Sequence, residues 1–515
     1  MAFPFKAFCQ GLTVGRIFID RINIFDPTFS DQRHLFYQTV NRLHLVTREP
    51  VIARELLFKE GDILDPKLLE ESERNLRELS LFQSVHIFPL PEKNGVADIV
   101  VQAQDAWSTE PQLNFKGTSE GTESALGLLE RNLLGYGKTA SIFYSNETTR
   151  ENMEFRYFDP RLFSSRYRLN LRYETRSDGF FLSSRFDRPF YALHTPWAMS
   201  LLWRGWDQTD TLYESAEAVS SFGEQARLFE TLYSRKIAES GNTYHRLSFS
   251  YLYEDDDFTQ TVSTDPDLFP EDRRFSRFGL AYQRIEDGFI KVNYINAFER
   301  EEDVNLGNNF IAFAGYSPEI LGGDQDRQFF VVSDSQGYEF GSRHFALAGA
   351  SVSGRPTAEV FENTVQIFQL RYYYYFAALL RQTLAVNVEE VASWHLDPER
   401  QFVLGGDSGL RGYPNLQFTG NKYLLLNVED RIFFLEDFFH VVSPGAVVFF
   451  DSGYVWPEGA NFNLQDLKSD VGFGFRFGFT RSTSLNVIRL DFAWALNDVD
   501  GEQGFVFSFG SSQSF

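Results

Sequence analysis

Three observations predict a mostly β chain: a transmembrane antiparallel β-barrel preceded by one small α+β domain. Residues 109–515 run as alternating polar and apolar stretches separated by turns, the period-2 pattern of strands with two different faces. Aromatic residues make up 17% of the 515, with 55 Phe and 23 Tyr, yet the mean hydropathy is only −0.28, so apolar side chains are spread along the chain. Residues 13–105 read strand, helix, helix, strand, strand. A helical membrane protein gathers apolar residues into runs of about twenty. The most apolar patch here, YYYYFAALL at 372–380, is about half that length.

Residues 1–12 are read as an N-terminal tail. The opening MAFPFKAFCQGLTVG lacks the apolar core and small-residue cleavage site of a secretory signal, and the reading favoured is a signal removed or omitted. Cys9 is the single cysteine, so no internal disulfide forms. Phe8 stands where a lipid-anchored cysteine needs a small residue.

The α+β domain is assigned to 13–105. RIFIDRINIF alternates as its first strand, and the stretch from there to Val46 carries no clear period. Thr47 is placed as the cap of a helix holding Pro50 in its first turn and running through VIARELLF to a stop at Gly61. Asp65 and Pro66 cap a second helix, KLLEESERNLREL, with Leu69, Leu76 and Leu79 on one stripe. SVHIFPL and ADIVVQA are two strands joined across Asn94-Gly95.

In the barrel segment, RYRLNLRYE sets Tyr167, Leu169, Leu171 and Tyr173 against Arg166, Arg168, Asn170 and Arg172. VGFGFRFGF sets Phe473, Phe475, Phe477 and Phe479 against Gly472, Gly474, Arg476 and Gly478. One face suits lipid and the other a wet interior. Residues 405–413, GGDSGLRGY, form the distinctive loop. Gly405, Gly406 and Gly412 let the backbone fold tightly, while Leu410, Arg411 and Tyr413 place one fixed charge between apolar neighbours. A buried arginine needs a carboxylate. The expected partner is in FFDSG, where Phe449, Asp451 and Gly453 share one strand face, with Glu429 as a second acid.

With these residues the chain resembles the BamA/TamA-type superfamily of outer-membrane barrels with periplasmic POTRA domains. NLLGYG at 132–137 resembles the family's turn between the second and third strands, and FDPRLF at 158–163 the end of its fourth. NVEDR at 427–431 resembles the strand after its inward loop, and DVGFGFRFGF at 470–479 a late strand. Phe507, Phe509 and Phe515 supply a C-terminal strand signal. The resemblance implies one POTRA domain at 13–105, a barrel at 109–515 and a loop, about 397–422, folded into the lumen with Arg411 on Asp451. It also implies about sixteen strands, with eighteen to twenty as the alternative. Roughly nineteen segments alternate, and YHRLSFSYLY, RFSRFGLAYQ and NNFIAFAGY are assigned to strand extensions or an external cap. Acidic patches at 255–257 and 265–267 are placed in solvated loops, not at metal.

The function implied is insertion of other β-barrels, using strand addition on the POTRA domain and a weak seam between PQLNFKG and FVFSFGSSQSF. The alternatives are a dedicated secretion pore and a passive porin. Clients would be unfolded outer-membrane or secreted polypeptides, with the lipid bilayer, periplasmic chaperones and accessory lipoproteins as further partners. The location implied is a Gram-negative outer membrane with the POTRA domain in the periplasm, an organelle outer membrane being the alternative. A net charge of −23 and pI near 4.8 argue against nucleic acid. No enzyme, cofactor or metal is expected. GDSG at 406–409 resembles a serine-protease nucleophile site, but Leu410 replaces the next glycine and no histidine has the matching setting. GKT at 137–139 has Asn132 where a phosphate loop needs glycine, and it joins two strands.

Overall fold

The computed structural model describes residues 11–29, 34–91, 94–118, 121–146, 150–296, 298, 300–341, 343–357, 360–377, 380–483, 487–497 and 504–511. Cys9, most of the N-terminal tail and Phe515 lie outside them.

The first unit comprises β1 (Thr13–Ile22), α1 (Leu35–Leu43), α2 (Glu49–Ala53), α3 (Pro66–Glu78), β2 (Phe82–Pro89) and β3 (Val96–Asp105). β3 is central, parallel to β1 and antiparallel to β2. Alternate residues Ala97, Ile99, Val101 and Ala103 face the helices and are fully buried with Ile52, Leu69 and Leu76. Asp65 accepts from the Lys67 N–H at 2.9 Å and Pro66 opens α3, as expected. Asn94 and Gly95 both adopt positive φ, as their turn requires. Two helix assignments are corrected. Residues 35–43 form α1, which the sequence reading left unassigned, and α2 ends at Ala53 well short of Gly61. Thr47 does not cap it, because its N–H donates to Asp105 and its hydroxyl accepts from Asn132 at 2.9 Å.

Strands from Thr109–Thr118 to Phe505–Ser511 close into one antiparallel barrel. Among the described residues it holds twenty strands, which corrects the expected sixteen. The segments set aside as extensions all lie in wall strands, Thr243–Gln260, Arg273–Glu286 and Asn309–Ser317. The discrepancy has a geometric cause. Glu217–Ser240 runs for 24 residues and its neighbours for 18, so at roughly 3.3 Å per residue they far exceed a hydrocarbon core of about 30 Å. The alternation therefore continues beyond the bilayer and disguises where spanning stops. Asp255–Asp257 accordingly sit in a strand, not a loop, and Asp255 pairs with Arg274 at 2.7 Å. Phe473, Phe475 and Phe479 point outward, and Arg476 is buried inside. Inward charges pair across strands, as in Arg172 with Glu154 at 2.7 Å.

Two small hairpins stand apart from the wall. One, Phe289–Val292 with Glu302–Asn305, crosses the barrel mouth on the side of the first unit. Phe298 from this strap reaches the opposite wall, where Gly445 and Gly478 leave space that a Cβ would fill, and it packs on Phe433 at 4.9 Å. The first unit docks on the strap and on the turns at the same mouth. Arg77 donates to both Asp303 oxygens at 2.8 Å, and Lys291 pairs with Glu73 at 3.0 Å. In the 132–137 turn, Gly135 accepts from the Arg48 N–H at 3.0 Å, and a Cβ on Gly135, at φ +79°, would press on the Val46 carbonyl. Arg161 and Arg166, in the turn after the fourth barrel strand, both pair with buried Glu55.

A further docking contact pairs a carboxylate with a histidine. Glu71 accepts from the Leu193 N–H at 2.8 Å and faces His194 at 3.7 Å, with Arg74 beside it. Burial raises the Glu71 pKa, but the bonds from His194 and Leu193 outweigh it and hold it below the usual carboxylate range. The Glu71 carboxylate raises the His194 pKa, with Lys236 opposing and Glu239 adding to the rise. His194 therefore contributes fully below its unfolded pKa, about 6.5, and loses the contribution as pH rises through its higher folded value. Glu71 stays charged throughout this range. Raising pH from 6 to 8 should increase amide exchange in the 189–196 turn, and His194→Gln should abolish that pH dependence.

Candidate functional site

The second hairpin, Phe402–Leu404 with Phe418–Gly420, belongs to the long connection between wall strands Arg381–Trp394 and Lys422–Phe433. Its tip enters the lumen. Gly405, Gly406 and Gly409 take positive φ and turn the chain sharply, while a Cβ on Gly412 would meet Asp470 and the backbone of Trp494 and Ala495. That close approach seats Leu410 and Tyr413 among Leu404, Leu425 and Ala495. The Tyr413 hydroxyl donates to the Ser469 carbonyl at 2.9 Å.

Between these anchors Arg411 is 5% exposed, and the structure brings all its expected partners together. Its Nε and Nη2 donate to the two Asp451 oxygens at 2.7 and 2.8 Å, and Nη1 donates to Glu429 at 2.5 Å. The guanidinium lies over the Phe449 ring at 3.6 Å. Gly453, on the same strand face, leaves room for Leu404 and Leu410. Ser408 is exposed in the turn preceding this cluster, its N–H donating to Gly405.

Other members of the network went unnoticed in the sequence. Asn427 donates to Asp451 and to the Gly409 carbonyl, both at 2.8 Å. Arg431 donates to the second Glu429 oxygen at 2.8 Å and to the Ile295 carbonyl of the strap at 2.6 Å. Arg476 pairs with Asp491 at 2.5 Å nearby. The signal for the first two was present, because Asn427, Glu429 and Arg431 share one face at period 2. Of the expected C-terminal residues, Phe507 and Phe509 occupy the closing strand, and the Phe507 ring packs tilted on Phe492 at 5.3 Å.

The fold and site together are a closed antiparallel β-barrel whose lumen holds its own arginine-bearing loop, with the arginine bound by two wall carboxylates. Residues 347–515, which carry the loop and both carboxylates, match the model of the Omp85 superfamily domain. Structural comparison finds CdiB from Acinetobacter baumannii, with 13% identity over 98% of this chain and 74% of that one, at a TM-score of 0.49. BamA from Haemophilus ducreyi lacking POTRA domains 1–3 matches at 13% identity, 96% and 85% coverage and a TM-score of 0.39. The FrpB iron transporter from Neisseria meningitidis matches at 8% identity, 84% and 87% coverage and a TM-score of 0.40. A comparison with curated proteins finds no match.

Arg411→Ala should leave Asp451 and Glu429, both fully buried, without their shared cation. The expected penalty is about 3–5 kcal/mol on the docked loop. Hydrogen exchange should rise across residues 402–420 while the barrel keeps its resistance to unfolding in detergent. Arg411→Lys should recover only part of the protection, since an ammonium cannot bind Asp451 bidentately.

Proposed function

We propose that this outer-membrane barrel inserts client β-barrel polypeptides through the seam between its first and last strands, with residues 13–105 acting as a periplasmic POTRA domain. The seam carries the reading. Every residue from Thr109 to Thr118 has a ladder partner in the second strand. The last strand, among the described residues, joins the first only through Phe507 with Gly117, Ser508 with Lys116 and Phe509 with Phe115. Gly510 and Ser511 stay paired with Arg489 and Ile488 of the preceding strand but have no ladder partner in the first, and the Ser511 N–H turns to the Asn114 side chain at 3.2 Å. Over the described residues the seam is short, and such a seam offers strand edges in the membrane plane where a client hairpin can pair.

The strand, helix and sheet order of residues 13–105 supports the POTRA assignment, and β2 forms an edge onto which an extended segment can add. The loop from one side and the strap from the other occupy the lumen, which weighs against a passive porin.

Two experiments test the proposal. Phe115 and Phe509 are direct ladder partners, close enough for a disulfide once both are cysteine in a Cys9→Ser background. The oxidised Phe115→Cys/Phe509→Cys protein should fold yet lose client insertion into vesicles, and reductant should restore it. Full activity of the locked form would sink the seam as the route. Depletion in the native organism should lower many outer-membrane barrels together; loss of one secreted protein with barrels unchanged would identify a dedicated secretion pore instead.

A further inference from the structure

Helix α1 buries none of its residues. Tyr37 and Asn41 turn one side of it to the domain, where Tyr37 packs on Phe25 at 4.5 Å and Asn41 exchanges hydrogen bonds with the Phe25 backbone at 2.7 and 3.1 Å. The opposite side is apolar and uncovered, with Leu35 and Leu43 each 70% exposed and Phe36 53%. Beside it lies the turn joining wall strands Lys422–Phe433 and Val442–Trp456. The Tyr37 hydroxyl donates to its Phe439 carbonyl at 3.0 Å, and Phe439 is itself 71% exposed.

A cavity of 380 Å³ separates α1 from the barrel wall at the foot of the seam. Phe25, Phe36 and Val40 line one side; Leu113, Phe479 and Ile488 line the other. The second group belongs to the outward faces of the first and late wall strands, so this side of the cavity continues the barrel's lipid-facing surface. Polar groups at the rim are engaged with one another: Arg481 with Asp437 at 2.8 Å, and Ser482 with Glu110 at 3.0 Å. What is left open suits a chain that brings no polar groups of its own.

We propose that α1 lies in the bilayer leaflet nearest the domain, with a phospholipid acyl chain in the cavity between α1 and the seam strands. The inference rests on the outer-membrane reading above. It places an amphipathic helix directly beneath the strand edges where clients would enter, in lipid whose packing the helix interrupts.

Spin labels test it on the full chain, in a Cys9→Ser background, reconstituted into phosphatidylethanolamine/phosphatidylglycerol vesicles. Labels at Phe36→Cys and Leu43→Cys should be several-fold more accessible to oxygen than to a water-soluble nickel complex. They should match an outward wall label at Phe473→Cys and differ from a domain label at Ile63→Cys, a position 75% exposed. A Phe473 label in lipid with Phe36 and Leu43 labels in water would overturn the inference alone. All labels in water would overturn the membrane reading with it. Shielding of Phe36 only after an unfolded barrel polypeptide is added would make the groove a client site and exclude lipid as its occupant.

Discussion

The bidentate contact of Arg411 with Asp451, closed on its third side by Glu429, is the interaction on which the interior depends. Both carboxylates are fully buried, and each projects from a different wall strand toward one guanidinium. Breaking such a pair on one side is strongly unfavourable, because the survivor is left as an unpaired charge in a poorly solvated place. The loop therefore does more than fill space: its arginine neutralises a wall that would otherwise repel itself. Gly412 sets how near the wall the backbone can come, and so whether the fork reaches both acids.

Glu429 carries the constraint further. Its second oxygen holds Arg431, which reaches the strap at Ile295, and the strap in turn holds the first unit through Asp303 and Arg77. Loop, wall, strap and domain are thus joined by one chain of charged hydrogen bonds running from one side of the barrel to the other. A movement of the domain that pulled the strap aside would expose Arg431. A movement of the loop would expose Glu429 to Arg431 alone. Either change meets buried charge, so the lumen is held shut from both ends by the same residues.

The legible parts of this arrangement were those written in short-range period. Phe449, Asp451 and Gly453 alternate on one strand face, and the glycines around Arg411 announce a loop that must approach a wall closely. The strap was not legible, because its function lies in Phe298 meeting Gly445 and Gly478 far along the chain, and inward glycines do not say which ring fills them. Thr47 looked like a cap because its hydroxyl is a good acceptor, but the donor that found it is Asn132 in a barrel turn. The strand number was obscured by strands that keep alternating past the bilayer. Helix α1 was hidden for the opposite reason: its apolar side packs on nothing in its own domain, so no core-facing period marked it.

The contrast between interior and seam decides where the barrel yields. Opening the lumen breaks a buried ion pair whose loss is on the order of 3–5 kcal/mol and gives nothing back. Opening the described seam removes the pairs at Gly117, Lys116 and Phe115. Each such bond is worth roughly 1 kcal/mol net in water, but its loss in hydrocarbon strands polar groups at several kcal/mol each. Spontaneous opening is therefore unfavourable, whereas on the proposed route a client edge that paired as the last strand left would replace every bond it displaced. The barrier on that route would depend on how few pairs must be exchanged before the client is held, and the three described pairs keep that number small. The proposed route would need no energy source, because once the edge were paired the client's own strand pairing and lipid burial would make the next step favourable.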